Sequence, residues 1–127
     1  MRRSYRDMTR KQERELIYNK YGGRCAYCGC QLQKGWHMDH LEPVKRYMRG
    51  GHKERRNPNN DTVKNKMPSC PSCNINKHSM SLERFRKVIA GYVTSLQEYS
   101  VQYRMAKKYG LVKETENPVK FYFENYD

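Results

Sequence analysis

Two pairs of cysteines constrain the fold of this chain more than any other feature of its sequence. Cys25 and Cys28 form one Cys-x2-Cys pair, Cys70 and Cys73 form a second, and 41 residues lie between the two pairs. Each pair sets two thiolates on one side of a tight turn, and two such turns can surround Zn²⁺ tetrahedrally. Since all four ligands would be sulfur, no coordination position stays open for a substrate. The sequence therefore predicts a structural zinc site.

The cysteines also leave alternatives open. The chain has five of them, and the fifth, Cys30, is either a free thiol or a replacement for Cys28 as a ligand. One pair could instead be a redox dithiol. The separation of the pairs exceeds the roughly 15–20 residues of a simple zinc ribbon. We therefore expect further structure, and a further purpose, between the two pairs.

The composition indicates a polar, strongly basic chain that needs such a metal. Its 127 residues include 26 Lys and Arg against 13 Asp and Glu, a net charge of +13. Leu, Ile, Val and Phe make up about 15% of the residues, below the level of about 20% at which highly charged chains tend to be disordered. Eleven tyrosines and a zinc ion would offset this deficit of apolar residues. The length suggests one domain over residues 1–127, and the charge suggests a nucleic-acid partner.

The sequence offers no segment that would place the chain in a membrane or direct it to secretion. No apolar run is long enough to span a bilayer, and the N-terminal residues are charged where a signal peptide would be apolar. We therefore expect a cytoplasmic protein without a membrane partner. In that reducing compartment, paired cysteines bind metal more often than they form disulfides.

The N-terminal region carries clear helix signals. Thr9 and Gln12 have the spacing of a capping box, in which two side chains satisfy backbone N–H groups at the helix start. Gly22–Gly23 suit the left-handed conformation that commonly ends a helix. Together these signals predict a helix over about residues 9–21.

The remaining patterns predict an α+β chain. Residues 41–64 are basic and poor in apolar side chains, so we expect a long loop there. Thr94–Gln97 has the form of a second capping box, and Val119–Glu124 alternates with the period of a strand. The other expected elements are a strand within 35–40, a strand at 66–69, a helix beginning within 70–77, and a helical C-terminal extension over about 81–127.

Between and beside the cysteine pairs lie residues suited to phosphodiester hydrolysis. Asp39 is a hard oxygen ligand for Mg²⁺ or Mn²⁺, and His40 is a base that can take a proton near neutral pH. Asn65 and Asn74 add amide groups before and after the second pair. The alternatives are a structural role for His40, a turn role for Asn65 and a helix-capping role for Asn74.

At these positions the chain resembles the HNH endonucleases, of the variety with a four-cysteine zinc site. The resemblance covers residues 25–77, and residues 81–86 also look like phage members of the family. The matching residues are, in chain order, Cys25-x2-Cys28, Asp39-His40-Leu41-x-Pro43, Gly50-Gly51, Asn65 and Cys70-x2-Cys73-Asn74-x2-Lys77.

The resemblance implies a ββα-metal core over residues 25–78, stapled by Zn²⁺ at the four paired cysteines. His40 would be the general base that deprotonates water, and Asn65 would hydrogen-bond the loop that orients it. Asp39 and Asn74 would hold the catalytic Mg²⁺ or Mn²⁺. Many relatives have His at the position of Asn74, and the amide oxygen here suits those hard ions.

The resemblance also implies double-stranded DNA as the partner, in a bacterial or phage-infected cell. The stretch 43–65 is longer and more basic than the usual Gly-Gly loop of the family. Two alternatives stay open, namely a non-catalytic zinc module that binds nucleic acid, and a nuclease component of a larger phage packaging or restriction assembly. The residues expected to contact DNA are Lys45, Arg46, Arg49, Lys53, Arg55, Arg56 and Lys77.

Overall fold

A computed structural model describes residues 8–49, 52–56 and 58–126. Gly50 and Gly51, which form part of the resemblance, lie outside the described residues. The contacts within the chain define two units, one comprising Met1–Leu82 with Phe121–Asp127 and the other Glu83–Lys120. All five cysteines belong to the first unit. The single domain expected over residues 1–127 stays a prediction.

A two-stranded sheet followed by a helix lies at the centre of the first unit. Strand β1 (His37–His40) pairs antiparallel with β4 (Lys66–Ser69), with Asp39 opposite Met67. Helix α2 (Pro71–Lys77) begins directly after β4. This strand–strand–helix arrangement confirms the predicted α+β class.

The helix predicted near the N-terminus is also present. Helix α1 (Arg10–Tyr18) begins with the Thr9–Gln12 capping box and continues as a 3₁₀ turn at Asn19–Tyr21. The helix ends at Gly22, whose φ of 65° lies in the left-handed region that glycine adopts without strain. The structure therefore confirms both ends of this helix as the sequence predicted them.

The long loop predicted for residues 41–64 is wrong in its central part. Strands β2 (Lys45–Arg49) and β3 (His52–Arg56) form an antiparallel hairpin, and Pro58–Asn60 forms a 3₁₀ turn. The many charged residues hid this hairpin, because they replace the apolar alternation by which strands are recognised.

The strand predicted at the C-terminus is absent from the described residues. A 3₁₀ turn (Tyr122–Asn125) occupies the position instead, and Phe121 alone of the alternating residues is buried. The backbone N–H groups of Tyr122 and Phe123 donate to the carbonyls of Tyr27 and Ala26, respectively. The segment therefore packs on a turn that offers no extended partner for a strand.

Three helices make up most of the second unit. They are α3 (Leu82–Ala90), α4 (Tyr92–Tyr99) and α5 (Val101–Lys108). The predicted capping box at Thr94–Gln97 is wrong, because Thr94 lies inside α4, whose N-cap is Gly91, and the capping side chain is Ser100, at the start of α5.

The carboxylate of Glu114 holds α4 and α5 together. It accepts hydrogen bonds from Tyr103 and Gln97 and forms an ion pair with Lys107. These contacts, chiefly the one from Tyr103, lower the pKa of Glu114 to about 2. Within the described part of the chain, no helix combines the length and the apolarity that crossing a bilayer requires.

Candidate metal centre and active site

A tight turn near residue 25 gathers three of the cysteines. Arg24 bridges to Gln31, and the Cys25 N–H donates to the Cys30 carbonyl at 2.8 Å. Cys28 lies within this turn. On the other side, Cys70 is the N-cap of α2, and its Sγ accepts from the Cys73 N–H at 3.4 Å. The end of β4 thus brings the second cysteine pair to the turn that holds the first.

The sulfur atoms are spaced as a zinc site requires. The Sγ atoms of four cysteines lie within 4.8 Å of one another, namely Cys25, Cys28, Cys30 and Cys70. The Sγ atoms of Cys28 and Cys70 are 3.9 Å apart. A tetrahedron with Zn–S bonds of about 2.3 Å has sulfur–sulfur distances of about 3.8 Å. The thiols therefore fit Zn²⁺.

The fifth thiol, Cys73, adjoins this group. It donates a hydrogen bond to Cys25, which is the main cause that lowers the pKa of Cys25 to about 4. The same contact raises the pKa of Cys73 itself. One thiol more than a tetrahedral site needs is therefore present. Cys30 belongs to the closely spaced group, whereas the sequence analysis predicted Cys73 as the fourth zinc ligand.

The carboxylate of Asp39 is buried and held from two sides. The Tyr27 hydroxyl donates to Asp39 Oδ2 at 2.5 Å, and the Lys77 ammonium lies 3.1 Å from the same oxygen. Burial, and next the charge of Asp39, raise the pKa of Tyr27. Within the described residues both partners contact Oδ2, which leaves Oδ1 as an oxygen that could bind a divalent ion.

The structure corrects the prediction that Lys77 contacts DNA. Its side chain is 0% exposed, and its Nζ also donates to the His40 carbonyl at 2.8 Å. A phosphate has no access to a fully buried ammonium group, so the prediction that Lys77 contacts DNA is wrong. The sequence showed the charge but not its burial, which the ion pair with Asp39 makes tolerable.

His40 lies at the end of β1 and is paired with a residue that the sequence analysis did not identify. Its Nε2 is 2.9 Å from Asp61 Oδ1, and the two side chains are 24% and 27% exposed. Asp61 also lies 3.9 Å from the Lys66 ammonium. A signal for Asp61 exists, because it is the one acidic residue among the eight residues 58–65.

Asn65 is hydrogen-bonded to the backbone segment that follows His40. Its side-chain amide donates to the carbonyls of Glu42 and Asn60 at 2.8 and 2.7 Å, and its Oδ1 accepts from the Glu42 N–H at 3.0 Å. The Leu41 N–H donates to the Asn65 carbonyl at 2.8 Å. These contacts fix the backbone of the two residues after His40, and the orienting role of Asn65 stays a prediction.

Asn74 lies one helical turn before Lys77 on α2, and it is half-buried. Residues three apart share a helix face, so Asn74 belongs to the side of α2 that approaches Asp39. Among the described residues, no hydrogen bond or ion pair joins any two of the side chains of Asp39, His40 and Asn74. The structure thus places them on adjoining elements without direct contact.

The other expected DNA contacts lie on one hairpin. Lys45, Arg46 and Arg49 belong to β2, and the remaining three belong to β3. The register sets Lys45 opposite Arg56 and Arg46 opposite Arg55. Like charges at opposed positions disfavour a hairpin, and a polyanion would offset that repulsion.

Comparison with known proteins identifies the segment that carries these features. The family model of the HNH endonucleases matches residues 25–80. Residues 25–80 form an HNH endonuclease domain. The resemblance seen in residues 25–77 is thereby confirmed, and the HNH domain implies a nuclease-type function that acts on nucleic acid. No curated protein and no solved structure matches the chain.

Proposed function

We propose that this HNH domain is a metal-dependent endonuclease that hydrolyses phosphodiester bonds of double-stranded DNA, with His40 as its general base. The observation that carries the proposal is the pair of His40 and Asp61, with 2.9 Å between Nε2 and Oδ1. The imidazole is partly open to solvent and held by a carboxylate, which is the arrangement of a positioned base.

The contact between His40 and Asp61 determines which imidazole nitrogen takes the proton from water. A carboxylate can only accept hydrogen bonds, so Nε2 of His40 donates to Asp61. Nδ1 is then the acceptor that removes a proton from the attacking water. Asn65 fixes the backbone after His40, so that the ring keeps its direction while substrate binds.

Asp39 and Asn74 are the residues that would hold the catalytic Mg²⁺ or Mn²⁺. Such an ion, when bound, neutralises charge that develops on the phosphate and on the departing oxygen. Tyr27 and Lys77 hold Asp39 through one carboxylate oxygen and leave the other available. Zn²⁺ at the cysteines would hold the turn that carries Cys25, Cys28 and Cys30 against the start of α2, without taking part in the reaction.

The proposal is tested by nicking of a supercoiled plasmid in Mn²⁺ by zinc-loaded protein. His40→Ala should lower the nicking rate by about 10²-fold or more, because general-base catalysis typically contributes that much. DNA binding and zinc content should remain close to those of the wild type. His37→Ala is the matched control, since it removes an exposed imidazole from the same strand.

Two results would contradict the role of His40. One is full activity of His40→Ala, and the other is an equal loss in both variants. If the wild type binds DNA but never nicks it with either ion, the non-catalytic zinc module becomes the better description. Nicking that appears only with an added protein would instead favour a component of a larger assembly.

A further inference from the structure

A cleft that none of these roles uses lies between α1 and the residues before β1. It has a volume of about 510 Å³ and is lined by charged residues of α1 together with Tyr18 and Trp36. Pockets for small molecules typically measure about 300–1,000 Å³, so the cleft is large enough for one nucleotide. It lies wholly within the first unit of the chain.

The floor of the cleft is a fixed aromatic surface. The rings of Tyr18 and Trp36 are 5.7 Å apart and tilted by 54°. The Arg14 guanidinium lies over one face of the Trp36 ring, 4.0 Å from its centre, and its Nη2 donates to the Trp36 carbonyl at 3.1 Å, so a base would stack on the ring surface that Arg14 leaves uncovered. Tyr18 is held closely too, because a Cβ at Gly23 would meet its hydroxyl at 2.9 Å. The rings are therefore ordered before any ligand binds.

The rim of the cleft is positively charged. Arg10, Arg14 and Tyr18 are four residues apart on α1, so they form one stripe along the helix. Lys11 adds a further cation, against the single acidic residue Glu15. Among the described residues, neither Arg10 nor Lys11 has a carboxylate partner, and both are exposed.

We propose that this cleft binds an unpaired nucleotide of a DNA strand, with the base against Trp36 and the neighbouring phosphates on Arg10 and Lys11. Aromatic side chains stack on bases of any sequence, and cations along the rim track the backbone. In a duplex, each base face is covered by its neighbours. A ring at the floor of a cleft can therefore reach only a base that has left the stack.

The position of the cleft relates this site to the proposed nuclease and deepens that proposal. Trp36 precedes His40 by four residues, which corresponds to about 13 Å along an extended strand. That is about four nucleotides for a strand that keeps the stacked rise of about 3.4 Å, and fewer where the strand is unstacked and extended. The favoured substrate would then be duplex DNA with a strand end, gap or fork within about four nucleotides of the bond that is cut.

The chain contains its own reporter for this site, because Trp36 is its one tryptophan. Zinc-loaded protein without added Mg²⁺ or Mn²⁺ is titrated with single-stranded oligothymidylate, and separately with a fully paired, blunt-ended duplex of the same total number of nucleotides. We expect the single strand to quench Trp36 fluorescence at concentrations at least about tenfold lower than the duplex does. The readout does not depend on cleavage, so it can succeed when the His40 test fails.

Variants separate stacking from charge in an anisotropy assay with the labelled single strand. Trp36→Ala should weaken binding by about tenfold or more, while Trp36→Phe should stay close to wild type. Both variants retain the backbone carbonyl of residue 36, to which the Arg14 guanidinium donates its hydrogen bond. Arg10→Ala removes one cation of the rim and should also weaken binding, whereas Lys108→Ala removes an exposed cation that does not line the cleft and should have no such effect.

Three results would overturn the proposal. The first is a single strand that leaves Trp36 fluorescence unchanged, and the second is Trp36→Ala protein that is folded, zinc-loaded and binds as tightly as the wild type. The third is equal quenching by polyglutamate, since the cleft would then respond to negative charge alone.

Discussion

Two aspartates of this domain show how neighbours decide what a residue can do. Asp39 is buried and bonded to Tyr27 and Lys77, so it is suited to hold an ion in a fixed place. Asp61 is more exposed and contacts His40, so it is suited to orient a base. A carboxylate is thus suited to two different purposes at these two positions.

The first prediction concerns this orienting contact. Asp61→Asn should lower the nicking rate by about 10²-fold or more with little change in KM, because an amide can donate as well as accept and no longer enforces one tautomer of His40. The rate is measured under saturating DNA across a range of pH. Glu42→Gln is the matched control, since it removes one exposed carboxylate two residues after His40.

The outcome for Asp61 distinguishes positioning from binding. An unchanged rate in Asp61→Asn would contradict the orienting role. A raised KM with an unchanged kcat would show that Asp61 acts on DNA affinity instead. Loss of zinc in the variant, measured by metal analysis, would assign it a structural role.

At the residue scale, spacing along the sequence identified candidates but not their contacts. Motif spacing singled out His40, Asn65 and Asn74, because a family motif preserves distances along the chain. Asp61 was missed because its pairing with His40 across 21 positions depends on the path of the intervening chain. Lys77 was misjudged for the same reason, since burial is decided by tertiary packing rather than by residue type.

At the scale of elements, local chemistry predicted the parts whose signals lie within a few residues. The capping box and Gly22 gave α1 its ends, and these contacts are local. The hairpin β2–β3 was missed although its pairing is local, because its charged residues lack the apolar alternation by which strands are recognised. Val119–Glu124 has the alternation of a strand, yet a turn at residues 26–27 is its partner.

The second prediction belongs to the hairpin. Replacing Lys53, Arg55 and Arg56 of β3 by glutamine should weaken DNA binding at low salt. It should also reduce the slope of log K against log salt concentration by about 0.9 for each phosphate contact that is lost. The slope is measured by anisotropy on duplexes of unrelated sequence, and the loss should be equal on all of them.

The control for the hairpin prediction removes the same charge elsewhere. Lys108, Lys113 and Lys120 are exposed residues of the second unit, and their triple glutamine variant changes the net charge equally. If both triple variants lower the slope of log K against log salt concentration by the same amount, DNA binding depends on the total charge of the protein and the hairpin has no special role.

At the scale of the whole molecule, the buried side chains of the first unit gather around the cysteine turn. Cys25, Ala26 and Tyr27 are all buried on that turn, and Phe121 packs edge-on against the Tyr27 ring. A chain of net charge +13 also repels itself when compact. A metal ion at this turn would therefore organise residues that belong to the hydrophobic core.

The last prediction is that removal of zinc unfolds the first unit. Structural zinc contributes about 10–16 kcal/mol of apparent binding free energy, as much as the 5–15 kcal/mol by which whole domains are stable. Chelation should therefore abolish hydrogen-exchange protection in β1, β4 and α2, and Zn²⁺ but not Mg²⁺ should restore it. Protection that survives in metal-free protein would contradict this dependence.

Cysteine variants make the metal prediction specific. Cys25→Ser should reproduce the metal-free state, because its thiolate is buried at the centre of the group and contacts Cys73. Cys30→Ser should still bind one zinc ion per chain and keep its exchange protection, since Cys73 stands beside the remaining thiols. Metal analysis and melting temperature measure both effects. A Cys30→Ser protein without zinc would show instead that Cys30 is an obligatory ligand and that the two Cys-x2-Cys pairs do not suffice.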